Sequence, residues 1–167
     1  MDFTTRELTI EVMTERHGAG VMEIFNHYVE TGFSAYFETP LPVEFFHRIL
    51  EMTEGYPAFV AKAGEVVAGF AFLHAIHPAP ALSRIAEVSY FIHPAHTRKG
   101  LGKLLLERMI ERAEALCIDS IVASVSSQNL ESLEFHRKNG FREAGRLENA
   151  GRKFGRDFDV VFMQRKI

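Results

Sequence analysis

The sequence predicts a mixed α/β (α+β) fold, in which helices cover a sheet. Several segments alternate apolar and polar residues, which is typical of half-buried strands. Other segments carry apolar residues at helical spacing, most clearly over residues 101–116. The two kinds of segment do not alternate regularly along the chain, which argues against a doubly wound parallel sheet.

The first 92 residues are predicted to contain four strands and two helices. The strand pattern covers four segments: residues 7–13, 58–62, 66–75 and 85–92. The first helix extends from residue 14 to about residue 32, although Gly18 and Gly20 weaken its first turns. The second helix is expected to begin near Pro42, because proline suits a first helical turn.

The remaining residues are predicted to contain two helices and three strands. The helices cover residues 101–116 and 129–138, and Gly140 is expected to close the second one in a left-handed conformation. The strands cover residues 120–125, 141–147 and 157–164.

Length and composition are those of one globular domain, which we expect over residues 1–167. Hydrophobic residues make up 47% and charged residues 25% of the chain, and the net charge of −3 argues against nucleic acid or anionic lipid as a partner. Residues 1–6 lack the apolar core of a signal peptide, and the longest apolar run, residues 66–73, is too short to span a membrane. With the one cysteine, Cys117, these features predict a soluble, cytoplasmic protein.

A glycine turn, Gly100-Leu101-Gly102, is predicted at the junction between a strand and a helix N-terminus, a place suited to phosphate. The dinucleotide-binding pattern fails there, because Leu105 occupies its third glycine position. The Walker pattern fails at Thr97 and Leu104. A turn that merely lets the helix pack close to the strand is a third interpretation.

The turn is similar to that of the GCN5-related N-acetyltransferases (GNAT), although Thr97 stands where that family has Gln or Arg. Four other segments resemble the phosphinothricin and methionine sulfoximine acetyltransferase branch: residues 24–29, residues 37–40, residues 127–141 with Asn129 and His136, and residues 151–159 followed by Met163. The resemblance implies a mostly antiparallel twisted sheet flanked by about four helices. It also implies a homodimer that transfers acetyl from acetyl-CoA to the primary amine of a small molecule.

The resemblance implies that the turn amides hold the pyrophosphate of acetyl-CoA and that the preceding strand pairs with the pantetheine arm. The residues expected to bind the cofactor are Tyr90, Phe91, Ile92, Arg98, Lys99, Gly100, Leu101, Gly102, Lys103 and Asn129. Arg98 and Lys99 are alternatively solvated cations, and Asn129 is also a natural helix cap.

Two residues are expected to carry the chemistry. Glu87 lies in an apolar stretch, where a carboxylate with a raised pKa can take a proton from an amine, and the branch has its general base on this strand. His136 stands where the branch has the histidine that corresponds to a thiolate-protonating tyrosine. The alternatives are an ion-paired surface glutamate and a partly buried structural histidine. We interpret Cys117 as a packing residue, so transfer is expected to be direct, in a ternary complex.

The acceptor is expected to meet Phe33, Tyr36, Phe37, Ile76 and Arg84. The loop of residues 74–84 lacks the aromatic and basic cluster of the branch, so phosphinothricin is one candidate and a less polar amine another. His74-x-x-His77 and His93-x-x-His96 have no cysteine or carboxylate to complete them, and we expect no metal. The competing interpretation of the whole chain is a non-catalytic regulatory module that binds acyl-CoA.

Overall fold

The computed structural model describes residues 8–167, which form a seven-stranded sheet and four α-helices. The strands are β1 (Leu8–Val12), β2 (Ala58–Ala63), β3 (Val66–Ala75), β4 (Ile85–Ile92), β5 (Ser120–Ser126), β6 (Arg142–Lys153) and β7 (Arg156–Lys166). The helices are α1 (Gly18–Glu30), α2 (Phe46–Met52), α3 (Leu101–Ala115) and α4 (Leu130–Lys138). The strand order is β1-β2-β3-β4-β5-β7-β6, and only the pair β4–β5 is parallel. The predicted mixed, mostly antiparallel sheet with about four helices is confirmed.

The sheet separates two apolar clusters, each covered by a different pair of helices. On one face, α3 and α4 bury their apolar sides against β3, β4 and β5, with Leu105 and Met109 fully enclosed. On the other face, α1 and α2 pack over Phe70 and Phe72 of β3. Burial of apolar area on both faces stabilises the sheet, and it fixes which side of each strand a functional side chain occupies.

The first helix begins later than its sequence pattern predicts. A 3₁₀ turn, Glu15–His17, precedes α1, and both glycines lie inside the α-helix. They are sites of close packing, because a Cβ on Gly18 would lie 2.9 Å from the ring of Phe46, and one on Gly20 would lie 2.6 Å from Val67. Glycine here lowers helix propensity and permits contact with α2 and β3.

The final hairpin is longer than predicted, because β6 continues to Lys153. Its residues are mostly polar and exposed, and its pairing with β7 shifts register between Leu147 and Gly151. Such an irregular edge strand shows no period-2 pattern for sequence reasoning to detect. Gly140, in contrast, has the predicted left-handed conformation with φ of 84°.

Residues 1–7 lie outside the described residues, and with them the predicted start of the first strand at Glu7 and the N-terminal segment examined for a signal peptide. Among the helices of residues 8–167, none has the length and apolar character needed to cross a membrane.

The contact between Gly151 and Phe158 yields a first prediction. A Cβ on Gly151 would lie 2.1 Å from the Phe158 ring, whereas nothing lies within 4 Å of a Cβ on Gly145, in the same strand. We expect Gly151→Ala to lower the free energy of unfolding by about 1–3 kcal/mol through overpacking, and Gly145→Ala to change it little. Urea unfolding of both variants measures this, and equal stabilities would contradict the packing described.

Candidate active site

Strands β4 and β5 run side by side only where they begin. Residues 85–87 pair with residues 120–122, after which β4 stays with β3 and β5 stays with β7. From Val88 to Ile92, the edge of β4 that faces β5 therefore has no strand partner within residues 8–167. Such an edge offers amides and carbonyls to an extended ligand. One carbonyl is already bonded, because the Tyr28 hydroxyl donates to Ile92 at 2.5 Å.

The turn after β4 leads into the N-terminus of α3. Gly100 caps the helix with φ of 81°, and the amides of Leu101, Gly102 and Lys103 precede its first intrahelical hydrogen bond. Free amides at a helix N-terminus carry partial positive charge and suit phosphate. A Cβ on Gly102 would lie 3.4 Å from Phe135, so glycine also lets α3 approach α4 here.

The side chains around this turn are largely solvated or bonded to backbone. Arg98 is 83% exposed, and its guanidinium lies 3.5 Å from the Glu131 carboxylate. The Lys99 ammonium donates to the Ala95 carbonyl at 2.9 Å. Thr97 donates its hydroxyl to the carbonyl of Pro94 at 3.0 Å, and it has neither the amide nor the guanidinium of the Gln or Arg that the predicted pattern has at this position.

Asn129 joins the start of α4 to the loop that follows α1. Its side-chain oxygen accepts a hydrogen bond from the amide of Ser132 at 3.1 Å, and its side-chain nitrogen donates to the Ser34 hydroxyl at 3.0 Å. The residue is therefore a helix cap, one of its two predicted roles.

His136 and Tyr90 form a buried pair beside the opening between β4 and β5. His136 is 1% exposed, and its Nδ1 lies 2.6 Å from the carbonyl oxygen of Ser132. A carbonyl can only accept, so Nδ1 carries the proton and Nε2 accepts from the Tyr90 hydroxyl. Burial lowers the pKa of His136 to about 4, against the opposing effect of the bond to Ser132, and burial raises the pKa of Tyr90 well above its usual range.

This pair bears on the acid role expected of His136. A neutral imidazole whose Nε2 lone pair is bonded has no proton to give from that atom at neutral pH. In this pair the hydrogen that can be transferred is on the hydroxyl of Tyr90. The sequence pattern predicted only that Tyr90 binds the cofactor, from its place on the strand. The 46 positions that separate the two residues leave no local pattern that would reveal the contact.

Glu87 lies on the opposite pleat of β4 from Tyr90, because an odd number of positions separates them. Its side chain is 25% exposed, and Nε2 of the His74 imidazole lies 3.9 Å from the carboxylate. Burial raises the pKa of Glu87, and His74 opposes the rise. A carboxylate held in this way is a competent general base near neutral pH.

An aromatic wall stands beside Glu87. Tyr36 stacks on Phe158 with ring centroids 5.5 Å apart, and Phe33 meets Phe158 edge-on at 5.7 Å. The pKa of Tyr36 is raised by burial and by the charge of Glu87, and lowered by the hydroxyl of Ser124. The predicted acceptor residues Phe33 and Tyr36 are thus together, on the same face of the sheet as the predicted base.

The sequence profile of the acetyltransferase (GNAT) family matches residues 21–141. The chain belongs to this family. It is an acetyl-CoA-dependent N-acetyltransferase, as the glycine turn and the segments around it predicted. The residues matched include the open edge of β4, the turn and the capped start of α4.

Relatives with similar sequences match nearly the whole length of this chain. An L-methionine sulfoximine/L-methionine sulfone acetyltransferase of Salmonella typhimurium is 31% identical, over 94% of this chain and 93% of the relative. A phosphinothricin N-acetyltransferase of Streptomyces viridochromogenes is 32% identical, over 96% of this chain and 88% of the relative. The solved phosphinothricin acetyltransferase of Sinorhizobium meliloti, in complex with acetyl-CoA, has a TM-score of 0.89 and 31% identity, over 96% of this chain and 88% of that one.

In this acetyltransferase, the loop that carries Phe33 and Tyr36 is fixed by a buried lysine. Lys153, at the end of β6, is fully buried, and its ammonium donates to the carbonyls of Ala35 at 2.7 Å and Tyr28 at 3.3 Å. Burial lowers its pKa, and the charge of Glu38 opposes the change. Lys153 lies in the segment of residues 151–159 that resembles the phosphinothricin acetyltransferase branch, but the sequence pattern assigns it no role.

The other predicted acceptor residues have different surroundings. Phe37 packs against Phe25 and Phe45, with centroids 6.2 and 5.7 Å away. Ile76 is exposed in the loop after β3. Arg84 is held by Asp119 at the start of β4, the end away from the opening.

His77 and the arginines on either side of the β6–β7 turn bond to nearby groups. His77 accepts a hydrogen bond from the amide of Ala79, and nowhere in residues 8–167 do three potential metal-ligating side chains converge. Arg152 pairs with Asp157, while Arg156 bonds Gln128 and lies over the ring of Phe33.

Lys153, which we call the lysine anchor, fixes the loop that carries Phe33 and Tyr36, so its replacement should make that loop more mobile. We expect Lys153→Met to lower the free energy of unfolding by about 1–3 kcal/mol, because two buried carbonyls lose their donor. We also expect a higher KM for the acceptor amine and an unchanged Kd for acetyl-CoA. Urea unfolding, steady-state kinetics and calorimetry measure these, with the exposed Lys138→Met as control. An unchanged acceptor KM would contradict the role of the anchor.

The buried imidazole should be visible by nuclear magnetic resonance. We expect His136 to show the neutral tautomer protonated at Nδ1 from pH 5 to pH 8, with its signals assigned from their loss in His136→Gln.

Stability should follow the same titration. Between pH 6.5 and pH 4, His136 binds a proton in the unfolded chain but stays neutral in the folded chain. The free energy of unfolding therefore decreases as the pH falls through this range, by about 3 kcal/mol in all. Unfolding of the wild type and of His136→Gln over this range isolates that contribution. A midpoint for His136 near 6.5 would contradict its burial.

Proposed function

We propose that this enzyme transfers acetyl from acetyl-CoA to the primary amine of a small amino acid or an amino-acid analogue, by direct attack in a ternary complex. The observation that carries the proposal is the position of Glu87, half-buried beside an aromatic wall, on the strand whose free edge suits the acetyl donor. The names of the relatives, which act on methionine sulfoximine and phosphinothricin, support this acceptor class.

In this proposal, β4 and the turn hold the donor. The free edge from Tyr90 to Ile92 pairs with the pantetheine arm, and the amides of residues 100–103 bind the pyrophosphate, with Arg98 and Lys99 adding charge. Asn129 reaches the donor only if one of its two present hydrogen bonds is exchanged.

Glu87 acts as the general base. The amine nitrogen loses its proton to the carboxylate as it attacks the thioester carbonyl, and the C–S bond breaks to release the thiolate. The base lies on the face of the sheet covered by α1 and α2, whereas Tyr90 and His136 lie on the face covered by α3 and α4. The donor therefore presents its thioester through the opening between β4 and β5, and the thiolate departs toward Tyr90.

Proton return to the thiolate is assigned to the Tyr90–His136 pair. The Tyr90 hydroxyl faces the leaving side. Its one hydrogen is bonded to Nε2 of His136, so it has to turn from that nitrogen to the sulfur to protonate the thiolate. His136 holds the hydroxyl in place until that step, a role that agrees with its neutral state.

Arg156, which lies over the ring of Phe33, is a cation beside the aromatic wall, but the loop of residues 74–84 adds no free arginine or lysine. Arg84 is paired with Asp119, so the loop of residues 74–84 supplies histidines instead of the basic cluster of the branch. Since each charged contact is worth roughly 1.5–3 kcal/mol, a doubly anionic analogue such as phosphinothricin should bind more weakly than an acceptor recognised by Phe33 and Tyr36.

We propose in addition that residues 1–167 form one acetyltransferase domain that assembles as a cytoplasmic homodimer. Exposed apolar side chains on the edge strand β6 and the turn after it, Leu147 and Phe154, support a subunit contact there. The single cysteine, Cys117, has no disulfide partner within the chain, which suits a reducing compartment.

The base is tested by Glu87→Gln in a thiol-release assay with acetyl-CoA and a panel of amino acids, methionine sulfoximine, phosphinothricin, polyamines and arylalkylamines. We expect turnover to fall by about 10²–10⁴-fold, the usual contribution of a general base, with an unchanged Kd for acetyl-CoA. Because burial raises the pKa of Glu87, wild-type kcat/KM should fall as the pH drops through that raised value.

The matched control is Glu65→Gln, the same chemical change at a solvated position in the β2–β3 turn. It should leave turnover unchanged. Normal turnover by Glu87→Gln would remove Glu87 from the mechanism, and tight acetyl-CoA binding with no amine acetylated would favour the regulatory module.

A further inference from the structure

His74 stands directly opposite Glu87 in the sheet. The two residues are register partners on β3 and β4, so their side chains project from the same face. Nε2 of the imidazole lies 3.9 Å from the carboxylate, and both side chains are mostly buried, at 18% and 25% exposure. A mostly buried carboxylate and imidazole at this separation interact far more strongly than the same groups in water.

The ring of His74 is oriented by its other nitrogen. Nδ1 lies 3.1 Å from the carbonyl oxygen of Ala75, which can only accept, so Nδ1 carries a proton. Nε2 is left to face the carboxylate. When Nε2 is also protonated, both N–H groups have acceptors, the Ala75 carbonyl on one side and the Glu87 carboxylate on the other.

The other neighbours of the pair bring little charge. From β5, the register partner of Glu87 is Val122, and from the loop after α1 the titratable neighbour is Tyr36, which is neutral at physiological pH. β2 begins opposite Phe72 and therefore does not reach His74, and the ring of Phe72 lies 6.0 Å from that of His74. Among the described residues, His74 is the one group whose positive charge acts on Glu87.

We propose that His74 is the positioning residue of Glu87, and that its imidazolium keeps the carboxylate ionised and aimed at the acceptor amine. The inference rests on the proposed function of Glu87 as the base. Burial disfavours the ionised carboxylate, and only the ionised form can take a proton. A cation of fixed orientation restores the ionised form without opening the site to water. His74 holds this charge without touching the amine.

The test compares His74→Gln, His74→Lys and the control His77→Gln by kcat/KM from pH 5.5 to pH 8.5, with whichever amine the panel identifies. Dividing the kcat/KM of each variant by that of the wild type at the same pH removes the effect of the ionisation of the amine substrate. We expect the ratio for His74→Gln to be near one at pH 8.5 and roughly tenfold lower at pH 5.5, because the base protonates more readily without its cation. His74→Lys should restore most of the loss at pH 5.5, and His77→Gln should give a flat ratio near one.

A second readout needs no acceptor. The side-chain carboxyl carbon of Glu87, labelled with ¹³C and assigned by its absence in Glu87→Gln, is titrated by nuclear magnetic resonance in the wild type and in His74→Gln. We expect its midpoint to move to higher pH in the variant. Identical midpoints, or a ratio for His74→Gln that does not change with pH, would overturn the inference.

The two readouts separate this inference from the proposed function. If no amine is acetylated and the Glu87 midpoint still moves, the base assignment fails while the charge coupling of His74 to Glu87 stands. If Glu87→Gln loses turnover and the midpoint does not move, Glu87 remains the base and His74 is only a packing residue. Urea unfolding of His74→Gln confirms that the variant retains its fold.

Discussion

The separation of β4 from β5 after Glu87 is the constraint on which the rest of the structure depends. A strand pair that continued to its end would satisfy its own backbone groups and leave nothing for a donor to pair with. Here the parallel pairing stops after Glu87, and the free edge begins at the next residue. The helices α3 and α4 cover one face of the opening between β4 and β5, and the loop that carries Phe33 and Tyr36 covers the other face.

The strand also divides the chemistry between the two faces of the sheet. Three positions separate Glu87 from Tyr90, so their side chains project from opposite faces of the sheet. In the proposed mechanism one face holds the acceptor and the other the leaving sulfur. The two groups proposed to handle protons are thereby kept apart although they share one strand. Each has a histidine partner, His74 for the carboxylate and His136 for the phenol, and the two histidines differ in their surroundings. His136 has only neutral partners and stays neutral, whereas His74 faces a carboxylate.

Local patterns in the sequence predicted much of the fold. The bounds of β3 and β4 agree with prediction because both strands carry a clear apolar pattern, and Pro94 follows the second. The candidate base and the glycine turn could be named from the sequence because their immediate neighbours and the resemblance to the family mark them. The role proposed for His74 and the contact made by Lys153 could not be predicted, because they depend on distant partners. His74 depends on a register across two strands, and Lys153 depends on the carbonyl of Ala35.

The lysine anchor also bears on how the protein is made. The hydrogen bond between Lys153 and the carbonyl of Ala35 joins positions 118 residues apart. The loop that carries Tyr36 therefore cannot be fixed by this bond until the final hairpin has left the ribosome. The strands that frame the donor opening are synthesised before that point. A product of interrupted translation that ends before β6 therefore lacks the fixed wall against which an acceptor is held, whatever else of the fold it has formed.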